Sequence, residues 1–167
     1  MRDQLTESDI KKMEEEIEYR KLVKRPELLE SVKETRAHGD LSENFEYHAA
    51  KREKNKNESR IRYLERMIRT ANVISDTSGA DEVGMNNTIT VYIPEDDEEE
   101  TYRIVTTVRS NSLKNLISIE SPLGKALMGH KVGDRVSVKV SDTYSYEVEI
   151  RKIDKTTDDS QDQIRSY

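Results

Sequence analysis

Two carboxylate side chains, Asp40 and Glu43, stand three residues apart in a stretch that separates two strongly helical, highly charged segments. Carboxylates at this spacing in a loop can share one hard cation such as Mg²⁺. Magnesium usually keeps several waters and takes only one or two protein carboxylates together with phosphate oxygens of a substrate. The pair therefore indicates an incomplete metal site. The alternative is that both acids merely stabilise the start of the second helix.

The neighbours of the two carboxylates predict how the loop joins the helices. Gly39 can adopt the backbone conformation that ends a helix, and Ser42 or Asn44 can cap the next one. A cap is the more frequent role of serine and asparagine at such a position. A supporting hydrogen bond from either side chain to a metal-bound water stays open.

The segments on either side carry the patterns of two long helices. The first begins near residues 8–9, and Pro26 within it predicts a kink or a helix that restarts with the proline at its first position. The second helix covers about residues 43–72. Apolar residues spaced by three and four predict a two-helix seam: Ile10, Met13, Ile17, either Leu28 or Leu29, and Val32 in the first helix, and Ile61, Leu64, Ile68 and Ala71 in the second. Residues 1–75 are therefore expected to form a long antiparallel α-helical coiled-coil hairpin with an acidic tip at 39–44.

Beyond the second helix the apolar period changes to two, which predicts strands of a half-buried antiparallel β-sheet. Ser121 followed by a proline, with Gly129 further on, predicts one short helix. Glycine and serine at 76–84 indicate a linker, and residues 85–154 are expected to form the sheet domain. The polar, acidic residues 155–167 predict a disordered tail. The fold class expected from these patterns is α+β.

Composition limits the class of protein. The chain of 167 residues is 33% hydrophobic and 37% charged, which favours two modest domains over one large core. It has no cysteine, so a disulfide framework and a thiolate metal site are excluded. No apolar run resembles a signal peptide or approaches the roughly 20 residues of a membrane span. We therefore expect a cytoplasmic protein with no membrane contact.

Basic residues are concentrated in the second helix. Residues 1–75 carry 17 Lys/Arg against 16 Asp/Glu, whereas residues 76–167 carry 11 against 18. Arg52, Lys56 and Arg60 follow one another at a spacing of four, which places them on one helix face. Such a face predicts either phosphate contacts with a polyanion or an ordinary solvated surface, and both interpretations stay open.

Several separated motifs resemble the Gre family of bacterial transcript cleavage factors, of the GreA type. GDLSEN at 39–44 and EYHAAK at 46–51 are similar to the tip signature of that family, and KRPE at 24–27 to its first-helix signature. YRIV at 102–105 and SPLGKALMG at 121–129 are similar to its C-terminal domain. The motifs occur in the order of the family and cover about residues 5–153.

The resemblance implies a factor that acts within bacterial RNA polymerase. It implies a coiled coil inserted through the secondary channel, an FKBP-like C-terminal domain docked at the channel rim, and stimulated cleavage of the 3′ segment of backtracked RNA. The chain would not be an enzyme by itself, because it would lend metal ligands to the endonucleolytic activity of the polymerase. The free protein would bind no cofactor, would share Mg²⁺ only in the complex, and would be a monomer.

The resemblance also assigns roles to particular residues. Phe45 departs from the family pattern, which usually has a small residue there. The implied sites are the catalytic and metal-binding carboxylates Asp40 and Glu43, the tip-supporting residues Ser42, Asn44 and Phe45, the RNA-contacting residues Arg52, Lys56 and Arg60, and the docking residues Ser121 and Pro122.

Two other functions remain open at this stage. A regulator could enter the same channel without promoting cleavage, and the bulky Phe45 favours that alternative. A prolyl isomerase would use the FKBP-like domain, although a fold does not establish a function. Cleavage of a stalled transcription complex and turnover of a proline peptide, respectively, would separate these alternatives.

Overall fold

The computed structural model describes residues 2–39, 44–156 and 158–166. The described chain forms two compact units. One consists essentially of Ile10–Ala71, and the other consists of Gln4–Asp9 together with the chain from Asn72 onward. The division near residue 71 lies close to the predicted end of the hairpin at residue 75. The grouping of residues 4–9 with the second unit differs from the predicted domain limits.

The first unit is a helical hairpin. It contains α1 (Glu7–Tyr19) from Ile10 onward, a π-helical turn (Arg20–Lys24), α2 (Arg25–Arg36) and α3 (Phe45–Thr70). Hydrogen bonds join Arg20 to Asn57 and Thr35 to Asn44, so the two arms run antiparallel, as predicted. The 26 residues of α3 span about 39 Å at 1.5 Å per residue. Within the described ranges, no helix is long and apolar enough to cross a membrane.

Pro26 lies in the first turn of α2, directly after the π-helical turn. A proline has no N–H to bond the carbonyl one turn back, and its ring crowds that carbonyl. The N–H of Arg25 instead donates to the carbonyl of Arg20, five residues back, which widens the helix locally. The α-helix therefore restarts at Arg25 with the proline second, within one residue of the predicted restart.

The second unit is built on a five-stranded sheet. Its strands are β3 (Thr88–Ile93), β4 (Glu98–Val105), β5 (Leu116–Ser118), β6 (Arg135–Lys139) and β7 (Ser145–Asp154). They lie in the order β5-β4-β3-β7-β6. The β4–β5 pair is parallel and the other pairs are antiparallel. The sheet is therefore mixed, which corrects the expectation of an antiparallel sheet. A period of two reveals which residues share a face, but it does not reveal strand direction.

One face of the sheet carries the apolar core of the second unit. The alternating residues Ile89 and Val91 are fully buried, as the period of two predicts. Their neighbours in the core are Val83, Ile104, Leu127, Val136, Val138, Val148 and Ile150. The predicted α+β class is confirmed, with a separate apolar core in the sheet unit.

The short helix α4 (Pro122–Leu127) covers part of this core. Ser121 caps it by accepting a hydrogen bond from the N–H of Gly124 at 3.1 Å. A Cβ at Gly124 would lie only 2.1 Å from the carbonyl oxygen of Ser118, so only glycine fits there. The predicted cap and first-turn proline are confirmed, and Gly129 follows the helix with φ +81°.

Segments near both ends of the sequence contribute to the second unit. The short strands β1 (Gln4–Leu5) and β2 (Asn72–Val73) pair in parallel. Residues 158–166 pack through Asp162, whose side chain is 5% exposed and is bonded to Arg103 and Arg109. The expectation of a disordered tail therefore needs correction for residues 158–166. Composition could not show that an acidic residue in this segment meets two distant arginines.

Candidate functional site

The candidate site is the loop that joins α2 to α3. Asp40, Ser42 and Glu43 lie outside the residues that the structure describes, so their positions are not characterised. The described residues on both sides of the loop define its two ends. They show how the helices finish and begin around the predicted site.

The α2 end of the loop is closed by backbone hydrogen bonds. The N–H of Ala37 lies 3.2 Å from the carbonyl oxygen of Glu34, and the N–H of His38 lies 3.2 Å from that of Thr35. Gly39 follows with φ +125°, a conformation that side-chain-bearing residues rarely adopt. The glycine therefore allows the chain to leave the helix at the predicted point.

Asn44 caps α3 and also connects the two helices. Its Oδ1 accepts a hydrogen bond from the N–H of Tyr47 at 2.9 Å, and its Nδ2 donates to the carbonyl oxygen of Thr35 at 2.6 Å. Asparagine can do both because its amide has an acceptor at one end and a donor at the other. The predicted cap is confirmed. The bond to α2 is an additional contact that holds together the two ends of the loop.

The first residues of α3 present aromatic groups beside the loop. The side chain of Phe45 is 84% exposed and contributes to no core. Tyr47 is half-buried, and its ring meets that of His48 edge-on at 5.4 Å between centroids. The Nδ1 atom of His38 lies 3.7 Å from the carboxylate of Glu46, with both side chains exposed. This end of the hairpin is therefore open to a partner, with a large apolar group at its surface.

The predicted basic face is divided by the structure. Arg52 and Lys56 are exposed, whereas the side chain of Arg60 is only 9% exposed. Arg60 donates to the carboxylate of Glu16 on α1 through Nε at 2.8 Å and Nη2 at 3.2 Å. The predicted RNA-contacting role of Arg60 is corrected, because this guanidinium is turned towards α1. Arg52 and Lys56 remain as the exposed basic pair.

A network of polar side chains joins the two arms of the hairpin, from residues 16–20 on the first arm to residues 57–60 on α3. Glu16 also accepts a hydrogen bond from Nε of Arg20 at 2.7 Å. Arg20 in turn donates to Oδ1 of Asn57 at 3.0 Å, and Nδ2 of Asn57 donates to the carbonyl oxygen of Arg20 at 3.2 Å. Burial raises the pKa of Glu16, but hydrogen bonds from Arg60 and Arg20 outweigh it, and the pKa lies below its usual value. We call these residues, Glu16, Arg20, Asn57 and Arg60, the polar seam.

The sequence contained a signal for the polar seam. Asn57 lies seven residues from both Ala50 and Leu64, which are buried on the same face of α3. A polar residue at a repeat position of a coiled coil can fix the alignment of the helices. The position was predictable, whereas its bonding partners on the other arm were not.

The predicted docking residues lie at the start of α4. Ser121 is half-buried, and its hydroxyl also donates to the carbonyl oxygen of Ser118 at 2.6 Å. Its hydrogen-bonding capacity is therefore used within the fold. Pro122 is exposed and offers a rigid apolar surface.

The metal prediction rests on the carboxylates of the loop. In the part of the chain that the structure describes, no group of three or more His, Cys, Asp or Glu side chains could hold a metal ion. The predicted donors Asp40 and Glu43 supply two carboxylates, which fits a magnesium ion that takes its other ligands from elsewhere.

Comparisons with known proteins identify the family. A family model described as "Transcription elongation factor, N-terminal" matches residues 3–73, and one described as "Transcription elongation factor, GreA/GreB, C-term" matches residues 77–155. The chain is 49% identical over 137 residues to transcription elongation factor GreA of Thermoanaerobacter pseudethanolicus, covering 81% of this chain and 87% of that protein. It is 44% identical over 153 residues to the protein of that name from Streptococcus suis, covering 91% and 95%. The chain belongs to the GreA/GreB family of transcription elongation factors.

Solved structures give more distant matches. GreA factor homolog 1 of Thermus thermophilus is 26% identical with a TM-score of 0.42, over 92% of this chain and 99% of that chain. A GreA/GreB factor from Nitrosomonas europaea is 24% identical with a TM-score of 0.39, over 56% and 78%. The family assignment rests on the sequence matches, and it confirms the predicted family and the predicted function in transcription elongation.

Proposed function

We propose that this factor inserts its helical hairpin into the secondary channel of bacterial RNA polymerase and stimulates cleavage of the 3′ end of backtracked RNA. Cleavage would release arrested complexes by restoring a transcript end in the active centre. The protein would act in the cytoplasm as a monomer. The hydrolytic activity would be that of the polymerase, in keeping with relatives that are named as transcription factors.

The observation that carries this proposal is the closure of the loop by Asn44. Its two hydrogen bonds, to the N–H of Tyr47 and to the carbonyl of Thr35, join both ends of the segment that contains Asp40 and Glu43. These bonds hold Thr35, at the end of α2, next to Asn44, at the start of α3. A helical hairpin that ends in such a loop supports delivery of two carboxylates to a distant reaction centre.

Asp40 and Glu43 would hold Mg²⁺ jointly with the polymerase. Two carboxylates leave room for the waters and phosphate oxygens that magnesium retains. When bound, the metal would supply activation of a water and stabilisation of charge on the reacting phosphate. This chain would contribute ligands at that centre, and Ser42 would support the loop between them.

Other surfaces would position the factor. Arg52 and Lys56 are exposed on α3 and would contact phosphates of the displaced RNA 3′ segment. Pro122 is exposed at the start of α4 and would contact the rim of the channel, with Ser121 fixing the local backbone. These contacts would align the hairpin, whereas the loop would act on the reaction.

A cleavage assay on a defined backtracked complex tests the proposal. We expect wild-type protein to shorten the transcript, and Asp40→Ala or Glu43→Ala to lower the cleavage rate by about 100-fold or more, the scale of losing a group that acts in the transition state. Binding to polymerase should change little, because neither side chain belongs to the proposed docking surface. A Glu46→Ala variant, which removes an exposed carboxylate from the neighbouring turn, is the matched control. Normal cleavage by both loop variants would refute the metal-ligand assignment.

A second candidate is a regulator that occupies the channel without promoting cleavage. The 84% exposure of Phe45 favours it, because a large apolar side chain beside the loop could obstruct the approach of the carboxylates. In that case the wild-type protein would alter initiation or elongation and leave the transcript uncut. Cleavage that appears only in Phe45→Ala would identify the phenylalanine as the cause.

A further inference from the structure

The segment 158–166 is anchored by one buried carboxylate. Arg103 donates to Asp162 through Nη1 at 2.8 Å and also through Nη2, so the guanidinium contacts both carboxylate oxygens. Arg109 adds a hydrogen bond from Nη1 at 2.9 Å. Burial raises the pKa of Asp162, but the bonds from Arg103 and Arg109 outweigh it, and the pKa lies below its usual value. This paired, bidentate arrangement is the one that proteins use to recognise carboxylates.

Arg109 is held by the sheet unit through contacts other than those with this segment. The side chain of Arg109 is fully buried, and its Nε lies 2.5 Å from Oδ1 of Asp9. Its Nη1 also donates to Oδ1 of Asn86 at 2.7 Å. Asp9 is fixed in turn by Thr106, whose hydroxyl donates to Oδ2 at 2.7 Å. The guanidinium of Arg109 is therefore held by Asp9 and Asn86 as well as by Asp162.

The charges of this site balance only when the segment is in place. Asp9 and Asp162 face Arg103 and Arg109, which gives two negative and two positive groups. Without Asp162, Arg103 would lose the carboxylate that it contacts, whereas Arg109 would keep Asp9. A buried charge without a counter-ion is strongly unfavourable, so the vacated site would favour another carboxylate. Lys114 lines the adjoining cavity of about 560 Å³ and adds positive charge.

The segment also makes main-chain contacts of the kind that a bound peptide makes. The N–H of Arg165 donates to the carbonyl oxygen of Val108 at 2.8 Å, and its guanidinium lies 3.4 Å from Oγ of Ser110. One carboxylate anchor and a main-chain bond three residues later define a simple recognition pattern. Residues 158–166 lie beyond the family-model match, which ends at residue 155.

We propose that Arg103 and Arg109 form a carboxylate-reading site for an acidic peptide segment of a protein partner, and that residues 158–166 occupy it as an intramolecular ligand. The tail competes from within the same chain, where a short tether gives an effective concentration on the order of millimolar. The site is therefore closed in the isolated protein and opens when a partner segment displaces the tail. This proposal is independent of the action of the hairpin on polymerase.

The full-length Asp162→Asn variant tests it. The amide keeps the shape of the side chain and removes its charge, so the tail should leave the site. We expect hydrogen exchange of the Arg165 amide to accelerate about tenfold or more. A labelled synthetic peptide with the sequence of residues 158–166 should bind this variant about tenfold or more tightly than it binds wild type. The same peptide carrying Asn in place of Asp162 should not bind.

Two further variants define the outcome. Adding Arg103→Gln to Asp162→Asn should abolish peptide binding, whereas Asp142→Asn, which neutralises a fully exposed carboxylate, should behave like wild type. Equal peptide binding to wild type and Asp162→Asn, or no binding to the folded variant, would overturn the proposal.

If Asp162→Asn fails to fold, a competition experiment on the wild-type protein tests the proposal instead. Millimolar ¹⁵N-labelled peptide should accelerate exchange of the chain's own Arg165 amide severalfold, and unchanged exchange would overturn the proposal.

Discussion

The helical hairpin differs from the sheet unit because a polar network accompanies its buried apolar residues, such as Met13, Ile61 and Leu64. In the sheet unit, Ile89, Val91 and Ile150 are fully buried in a continuous apolar core. In the hairpin, the polar seam consists of ion pairs and amide hydrogen bonds, in which Arg20 and Glu16 remain partly exposed and Asn57 and Arg60 are buried. Apolar burial is nondirectional and is not subject to charge screening, whereas partly exposed ion pairs are directional and are screened by salt.

This difference has a consequence for how the hairpin can work. Directional contacts hold the two arms in one alignment, which an apolar surface alone would specify less strictly. They contribute less stability per residue than an apolar core, so the hairpin is expected to open locally before the sheet unit unfolds. Alignment of the arms determines where the loop lies, and the seam therefore serves the placement of the candidate site.

The largest effect is expected from removing one charge of the polar seam. Arg60→Met should destabilise the hairpin by about 1 to 3 kcal/mol, because Glu16 loses two hydrogen bonds to a charged donor. Hydrogen exchange of the α3 amides around Ile61 should accelerate accordingly. Exchange at Ile150, in the core of the sheet unit, should not change.

A double variant and a pH series serve as controls. Glu16→Leu combined with Arg60→Met should recover part of the loss, because it removes the carboxylate that lost Arg60 as a partner, while Arg20 keeps its hydrogen bond to Asn57. The folded-state pKa of Glu16 is lowered relative to an unfolded value of about 4.3, so its contribution is present above that pH and is lost as the pH falls through the folded pKa. Arg60→Met should weaken this acid dependence. Wild-type exchange rates in Arg60→Met would show that the seam does not hold the arms.

A smaller effect is expected at the loop end. Asn44→Ala should cost about 1 kcal/mol, because it removes the cap of α3 together with the bond to α2. Asn44→Asp keeps the capping oxygen and loses only the donor to Thr35, so it should cost less. Exchange of the Tyr47 amide measures the cap in both variants, and cleavage activity measures the placement of the loop. An Asn44→Asp variant as impaired in cleavage as Asn44→Ala would assign the effect to the bond with α2.

The sequence was sufficient for those features that depend on local spacing. The helices, the restart at Pro26, the cap at Asn44 and the alternation of Ile89 and Val91 all follow from patterns within a few residues. The motif at 39–44, together with four others, was also sufficient to indicate the family. These signals require no knowledge of what lies opposite a residue.

The features that spacing did not reveal all involve distant partners. Arg60 has the spacing of a surface residue, yet Glu16 on the other arm draws it into the seam. Asp162 lies in a polar segment, and only the fold brings it to Arg103. The parallel direction of β5 was missed for a similar reason, since a period of two is the same in either direction.

The most direct test of the proposed function is the magnesium dependence of transcript cleavage. If Asp40 and Glu43 are metal ligands, Asp40→Asn should raise the Mg²⁺ concentration needed for half-maximal factor-stimulated cleavage by about tenfold or more, and high Mg²⁺ should restore part of the rate. Glu46→Ala provides the comparison at the same end of the hairpin and should leave the Mg²⁺ dependence unchanged. An Asp40→Asn variant with wild-type Mg²⁺ dependence would contradict the assignment of the loop carboxylates.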